Sequence, residues 1–291
     1  PHVETGAPTP VSSFQRNFPM TNVLQLSDLH VEPVGTLAYG KADTASHVRN
    51  IRPWLQRFAP KVDLVVVTGD IACDGKPDAY EIVAETFADL PVPVRMLPGN
   101  HDRRSNLVRI LPDFVEPDAG KERVEFTMER DDALILGLDT LQPGRHWGGL
   151  SDASLSRLQA ALSDGRPVLA LMHHTPVHSG MGKMDEPFTN RERLREILSR
   201  RPDVRLATGH MHRGLASRFG ETVVTTAPSV SLPIEIHIGP EGGDDFLFET
   251  PGFALHHLMP EGWVTYFGQI PVRTDFSGPF PFHGAVNPTD D

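Results

Sequence analysis

The stretch VDLVVVTGD, residues 62–70, decides the fold. Its first seven residues are a near-continuous β-branched run with no polar alternation. That is the pattern of a strand covered on both faces, as in a largely parallel sheet. The run stops at Gly69-Asp70, a residue without a Cβ followed by a carboxylate. Working outward, VLQLS at 23–27 reads as a short buried strand and leads into Asp28-Leu29-His30. Val48, Ile51, Leu55 and Phe58 recur at helical spacing over 46–58, with Pro53 an interruption. A helix is expected over 77–89, with Pro77 in its first turn. A strand over 92–97 runs into Gly99-Asn100-His101-Asp102. Residues 123–128 and 133–138 form a strand pair that stops at Asp139. SDASLSRLQAALS, 151–163, puts Leu155, Leu158 and Leu162 on one helical face behind Ser151 as N-cap. A strand over 167–172 ends in His173-His174, a charged helix covers 190–200, and a strand over 204–208 ends in Gly209-His210-Met211-His212. Beyond about 215 only strands and loops are expected. The class is therefore α/β with a β-rich C-terminal part.

Composition narrows the possibilities. The chain has 291 residues, 39% hydrophobic and 22% charged, an ordinary globular composition. Its formal net charge of −11 argues against binding a nucleic-acid polymer, which needs clustered Lys and Arg. An anionic small molecule stays open, because a metal can supply local positive charge. One cysteine, Cys73, excludes an intrachain disulfide framework. No run approaches the roughly 20 apolar residues of a membrane helix, so no membrane partner is expected. Residues 1–19 carry no apolar h-region and are expected to be a flexible leader before Met20, with the cytoplasm the expected location.

The histidines, fourteen in all, concentrate at strand ends. Asp28 and His30, then Asp70, then Asn100 and His101, then His173, then His210 and His212 each follow an expected strand. Ligands in open α/β sheets bind beyond the carboxyl ends of the strands. Spacing of i, i+2 in an extended chain sends two side chains the same way, so Asp28 with His30, and His210 with His212, are each expected to grip one site. Carboxylate, amide and imidazole ligands without thiolate suit Mn, Fe or Zn rather than calcium or structural zinc. Seven ligands are too many for one ion and suit two if a carboxylate bridges. Asp70, alone at the end of a central strand, is the natural bridge. Gly69 and Gly99 let the backbone turn without a Cβ clash.

These blocks resemble the calcineurin-like metallophosphoesterases, in order: Asp-x-His, Gly-Asp, Gly-Asn-His-Asp, His, and Gly-His-x-His. LSDLH, VVTGDI, LPGNHD, LMHHTP and ATGHMH look like the class III cyclic nucleotide phosphodiesterases and related bacterial glycerophosphodiesterases. LAYGKADT and GRHWGGLSDASLSRLQAAL are similar to that group as well. The resemblance spans roughly 22–230 and is weak from 231 to 291; HHTP departs from the HHPP common in relatives. It implies a four-layer αββα sandwich with the site at the C-terminal edge of two sheets. It implies a first metal on Asp28, His30, Asp70 and His212, and a second on Asp70, Asn100, His173 and His210. It implies His101 as the substrate-facing histidine. The cofactors implied are two divalent ions (Mn, Fe, Zn or Co). With two carboxylates and a bridging hydroxide they sum to about +1, suited to a phosphodiester monoanion. The expected activity is hydrolysis of a small phosphodiester, a 3′,5′-cyclic nucleotide or a glycerophosphodiester, by that hydroxide, with His101 stabilising the phosphoryl oxygens or protonating the leaving group. A phosphomonoesterase, a nuclease or a non-catalytic scaffold are the alternatives. The organisation expected is a leader at 1–19, a catalytic domain at 20–230 and a β-rich extension at 231–291 acting as cap or homo-oligomer contact.

Taken singly, each block also fits a polar turn. His174 is expected to be packed or to support a ligand, His146 and His178 to be loop histidines, and His256 and His257 to be structural. Cys73 is expected as a small buried hydrophobe. Arg103-Arg104 is expected as a solvated pair. Phe246, Phe248, Phe253, Trp263, Tyr266 and Phe267 are expected in cap packing or a dimer face. Asp102 is expected to orient its loop.

Overall fold

The computed structural model describes residues 20–120, 122–201, 203–241 and 243–272; the expected leader and the end of the expected extension lie outside them. Two sheets stack face to face. The first carries β1 (Asn22–Leu26), β2 (Leu64–Thr68) and β3 (Val94–Leu97) in parallel, crossing through α1 (Thr44–Phe58) and α2 (Pro77–Phe87). After α3 (Arg104–Ile110) the chain enters the second sheet with β4 (Phe126–Glu129) and β5 (Leu134–Gly137). β6 (Gly148–Gly149), α4 (Asp152–Leu162), β7 (Val168–Leu171), β8 (Phe188–Thr189), α5 (Arg191–Leu198), β9 (Arg205–Thr208), β10 (Leu215–Phe219) and β11 (Thr222–Thr226) follow. The second sheet has the order β10-β11-β9-β7-β5-β4.

Alternation inside the buried strands builds the layers. In β1 to β3, Leu24, Leu26, Val65, Val67 and Met96 join the core under α1 and α2. Their neighbours Val23, Leu64, Val66 and Leu97 pack between the sheets. In the second sheet Leu136, Ala170 and Leu206 face the α4–α5 side, while Ile135, Leu169 and Ala207 meet the first sheet. Three apolar layers thus separate four layers of structure, the αββα sandwich. Both faces of β2 are buried, which is why its sequence shows no polar alternation.

The expected division after residue 230 cuts through the first sheet. β12 (Gly252–Met259) and β13 (Gly262–Gln269) complete it in the order β13-β12-β1-β2-β3. β12 lies antiparallel to β1, with Leu24 opposite Leu255. Leu258 and Trp263 join the layer between the sheets, and Phe253 packs on Trp54 and Phe58. The late aromatics therefore do not form one face: Tyr266 and Phe267 are exposed on β13, and Phe246 and Phe248 lie elsewhere. Of the described residues of that extension, 231–241 and 243–250 are irregular, tied by Glu235 N–H donating to Asp245 O at 2.8 Å.

Local deviations have local causes. α1 starts at Thr44 because Asp43 accepts the Ser46 amide, and it runs through Pro53 with Val48, Ile51 and Leu55 fully buried. The strand expected from 123 begins at Phe126, since Val124 N–H is taken by the Asp139 carboxylate at 2.9 Å. α3 has no side-chain N-cap and was not foreseen. Among the described residues no helix is long and apolar enough to cross a membrane.

Candidate metal centre

β1, β2, β3, β7 and β9 are mutually parallel within their sheets, so their carboxyl ends open on one edge of the sandwich. Asp28, His30, Asp70, Asn100, His101, His173, His210 and His212 all follow those ends. The ligand atoms of Asp28, His30, Asp70 and His212 lie within 4.8 Å of one another. Asp70 Oδ2 is 3.4 Å from His30 Nε2 and 3.4 Å from His173 Nε2. His173 Nε2 is also 3.1 Å from Asn100 Oδ1. One carboxylate oxygen thus stands between two clusters.

The convergence does not come from extended chain. Asp28, His30, Asp70, His210 and His212 all have positive φ, between 46° and 66°. Left-handed conformations are strained for side-chain-bearing residues and gather where function demands them. The strands end and the chain turns at once, which throws these side chains inward. His210 and His212 consequently do not grip one site. His212 joins Asp28, while His210 lies with His173 and His174. Gly69 has φ +88°, and a Cβ there would meet His173 Nδ1 at 2.5 Å. Gly99 needs no unusual φ; a Cβ would strike Asp70 Oδ1 at 2.2 Å.

The far side of three imidazoles is fixed on backbone carbonyls. His173 Nδ1–H donates to Thr68 O at 2.7 Å, His101 Nδ1–H to Cys73 O at 2.6 Å, and His212 Nδ1–H to Leu232 O. These bonds leave Nε2 as a lone pair. His30 Nε2 and His212 Nε2 then face one another at 3.1 Å with Asp28 Oδ1 3.4 Å from the latter. Imidazole nitrogens and carboxylate oxygens converging at these distances could hold a metal ion. His30 Nδ1 is buried without a partner. Burial, aided by the charges of neighbouring imidazoles, holds the His30 ring well below its ordinary pKa, against the pull of Asp70. His173 is opposed by burial yet drawn up to about 9 by the Asp70 charge and hydrogen bond. Burial likewise works against the Asp70 carboxylate, but His173 and His101 hold it well below the usual range. The donor set fits divalent cations of the Mn, Fe or Zn type.

Asp102 braces both loops. Its carboxylate accepts Ile71 N–H at 3.1 Å, Ala72 N–H at 3.0 Å, Gly99 N–H at 2.9 Å and the Tyr80 hydroxyl at 2.9 Å. Burial and the Asp70 charge push it up to about 6, against the backbone donors. Arg104 is not solvated as expected. Its guanidinium pairs in two places with buried Asp139, at 2.6 and 2.8 Å, and donates to Leu141 O. His174 is buried and held by Thr140 Oγ1 at 2.8 Å and His146 O at 3.0 Å. Burial, then the charges of His173 and His210, keep it well below its ordinary pKa. His178 is exposed, and His256 bonds Gln25 Oε1 between the sheets. Cys73 is buried, its thiol pushed up to about 12 chiefly by burial. Glu186 was missed: an acid in a loop next to Asp185 carries no sequence signal of its own.

A cavity of about 450 Å³ opens over the cluster. His30, Asp70, His101, His210 and His212 form its floor; Tyr39, Leu232, Ile234, Phe246 and Phe248 form much of its outer wall. Leu232, Ile234 and the stretch from Asp244 to Phe248 thus form a rim of the site.

Residues 21–214 match the profile of the calcineurin-like phosphoesterases. The chain belongs to the calcineurin-like phosphoesterase family. It is accordingly a hydrolase of phosphate esters. It is 34% identical over 272 residues to a probable glycerophosphodiester phosphodiesterase, GpdQ, of Arcobacter nitrofigilis, covering 90% of this chain and 96% of that relative. It is 28% identical to the 3′,5′-cyclic adenosine monophosphate phosphodiesterase CpdA of Pseudomonas aeruginosa, covering 82% and 86%. A dimetal phosphatase from Danio rerio shares the fold with a TM-score of 0.61 at 16% identity, over 87% of this chain and all of that one.

Proposed function

We infer that this phosphoesterase is a two-metal phosphodiesterase acting on small phosphodiesters. The observation that carries the reading is Asp70 Oδ2, placed 3.4 Å from His30 Nε2 and 3.4 Å from His173 Nε2, as a bridging oxygen would be. Asp28, His30, Asp70 and His212 would hold one cation, and Asp70, Asn100, His173 and His210 the other. Such a pair supplies Lewis acidity, lowers the pKa of bound water and neutralises phosphoryl charge. The chain's own residues do the rest. Asn100 offers a neutral carbonyl oxygen, so the site gains a ligand without further negative charge. His101, tied through Nδ1–H to Cys73 O, presents Nε2 to the cavity, where the doubly protonated ring would donate Nε2–H to a phosphoryl oxygen or the leaving alcohol. Proton transfer of that kind is worth about 10²–10⁴-fold. The rim loop bounds a cavity suited to a small diester, and the net charge of −11 disfavours polyanions.

The relatives act on both expected substrate types by name: glycerophosphodiesters and cyclic AMP. The deciding experiment compares kcat/KM of the Mn²⁺-loaded protein for 3′,5′-cyclic AMP and glycerophosphoethanolamine. Turnover of at least one, abolished by chelation, supports the reading; turnover of phosphomonoesters alone refutes it.

A further inference from the structure

We propose that Glu186 is a positioning residue that holds two imidazoles of the site with one oxygen. It seats His210 toward the second cation and turns His146 toward the substrate. The proposal rests on the two-metal reading above.

Glu186 Oε2 is 2.8 Å from His146 Nδ1 and 3.3 Å from His210 Nε2. His173, His212 and His101 anchor their far nitrogen on a backbone carbonyl. His210 alone of these four is anchored on a carboxylate. With Nε2–H donating to Glu186, the free lone pair of His210 is on Nδ1, and a carboxylate behind a ligating imidazole raises its basicity. The same oxygen fixes the second ring. With Nδ1–H of His146 given to Glu186, Nε2 is left for the cavity that His146 lines. The His146 ring stands 6.1 Å from that of His101 and 5.1 Å from that of His210, centroid to centroid. Its backbone is fixed independently, through His174 Nε2–H to His146 O at 3.0 Å.

The loop is shaped to present this carboxylate. Asp185 accepts Ser179 N–H at 2.6 Å and Gly180 N–H at 2.8 Å, closing the turn in front of it. Pro187 restricts Glu186 to extended backbone. A solvated acid needs neither device.

The test titrates metal-free protein with Co²⁺ and follows the visible spectrum, with melting as a check on folding. Wild type is expected to bind two equivalents. Glu186→Ala is expected to bind the first as wild type does and the second about 10–100-fold more weakly. Glu186→Gln is expected to recover part of the loss, because its amide oxygen can take the same place. His146→Ala is expected to keep both equivalents but lose at least about tenfold in kcat/KM when loaded with Mn²⁺. Wild-type Co²⁺ binding by Glu186→Ala, or equal weakening of both equivalents, overturns the proposal. So does His146→Ala within twofold of wild-type kcat/KM. A wild type that binds fewer than two Co²⁺ overturns the two-metal reading itself, a result distinct from either.

Discussion

Replacing Gly69 by alanine tests whether the turn after β2 is the tight point of the site. Two costs add. The φ of +88° is a conformation that an L side chain resists by roughly 1–2 kcal/mol. The new Cβ would also meet His173 Nδ1 at 2.5 Å and Gly99 N at 2.8 Å. His173 is fully buried and pinned to Thr68 O, so it cannot swing aside without losing that bond. Overpacking of this kind costs about 1–3 kcal/mol, and the strained hydrogen bond about 1 more. The sum, about 3–6 kcal/mol, is a large part of the roughly 5–15 kcal/mol that holds a domain together. Gly165 is the internal control. Its φ is +92°, yet nothing lies within 4 Å of its Cβ position, so Gly165→Ala carries the conformational cost alone. Thermal melts of metal-free protein should show Gly69→Ala lowered by about 5–10 °C and Gly165→Ala by about 2–3 °C. Co²⁺ titration should show weakened binding only in the former. Equal melting shifts for the two variants would refute the steric reasoning.

Arg104→Ala should cost about 3 kcal/mol in urea unfolding, because it strands the buried Asp139 carboxylate. Asp70→Ala should lose both cations, read by elemental analysis of the purified protein, and retention of two would disprove the bridge. Stability should fall with acid through His256, whose pKa is lowered to about 3 by burial and the Arg205 charge. The unfolded chain protonates below about 6.5 while the folded one does not, so the loss runs from pH 6.5 toward 3 and reaches about 2 kcal/mol by pH 5. His256→Gln should flatten that part of the urea-measured profile.

The two sheets and the strand-end residues were legible because they are local. Residues 62–70 state in their own composition that both faces are covered and that a carboxylate follows. What escaped is what depends on distant chain. Nothing near Arg104 announces that Asp139 will sit beside it, and Glu186 acquires meaning only once His146 and His210 close around it. The β-rich end was legible as strands, but not as neighbours of β1, since pairing register is written in no single segment. The pleat accounts poorly for the Asp-x-His and His-x-His pairs. Their left-handed backbone is imposed by turns made directly at the strand ends, which the i, i+2 spacing does not reveal.

The pairing of β12 with β1 joins the two ends of the described chain, Asn22 lying opposite His257. On the ribosome, β1 is made early and its partner on that side arrives more than two hundred residues later. At about 5–20 residues per second the interval is roughly 10–50 s. Until then that edge of β1 stays unpaired, and by the end of β11 it stands beside a second sheet whose strands have all been made. Nascent chains halted after β11 should therefore be captured by holdase chaperones or aggregate, and release of β13 from the exit tunnel should end that vulnerability in one step.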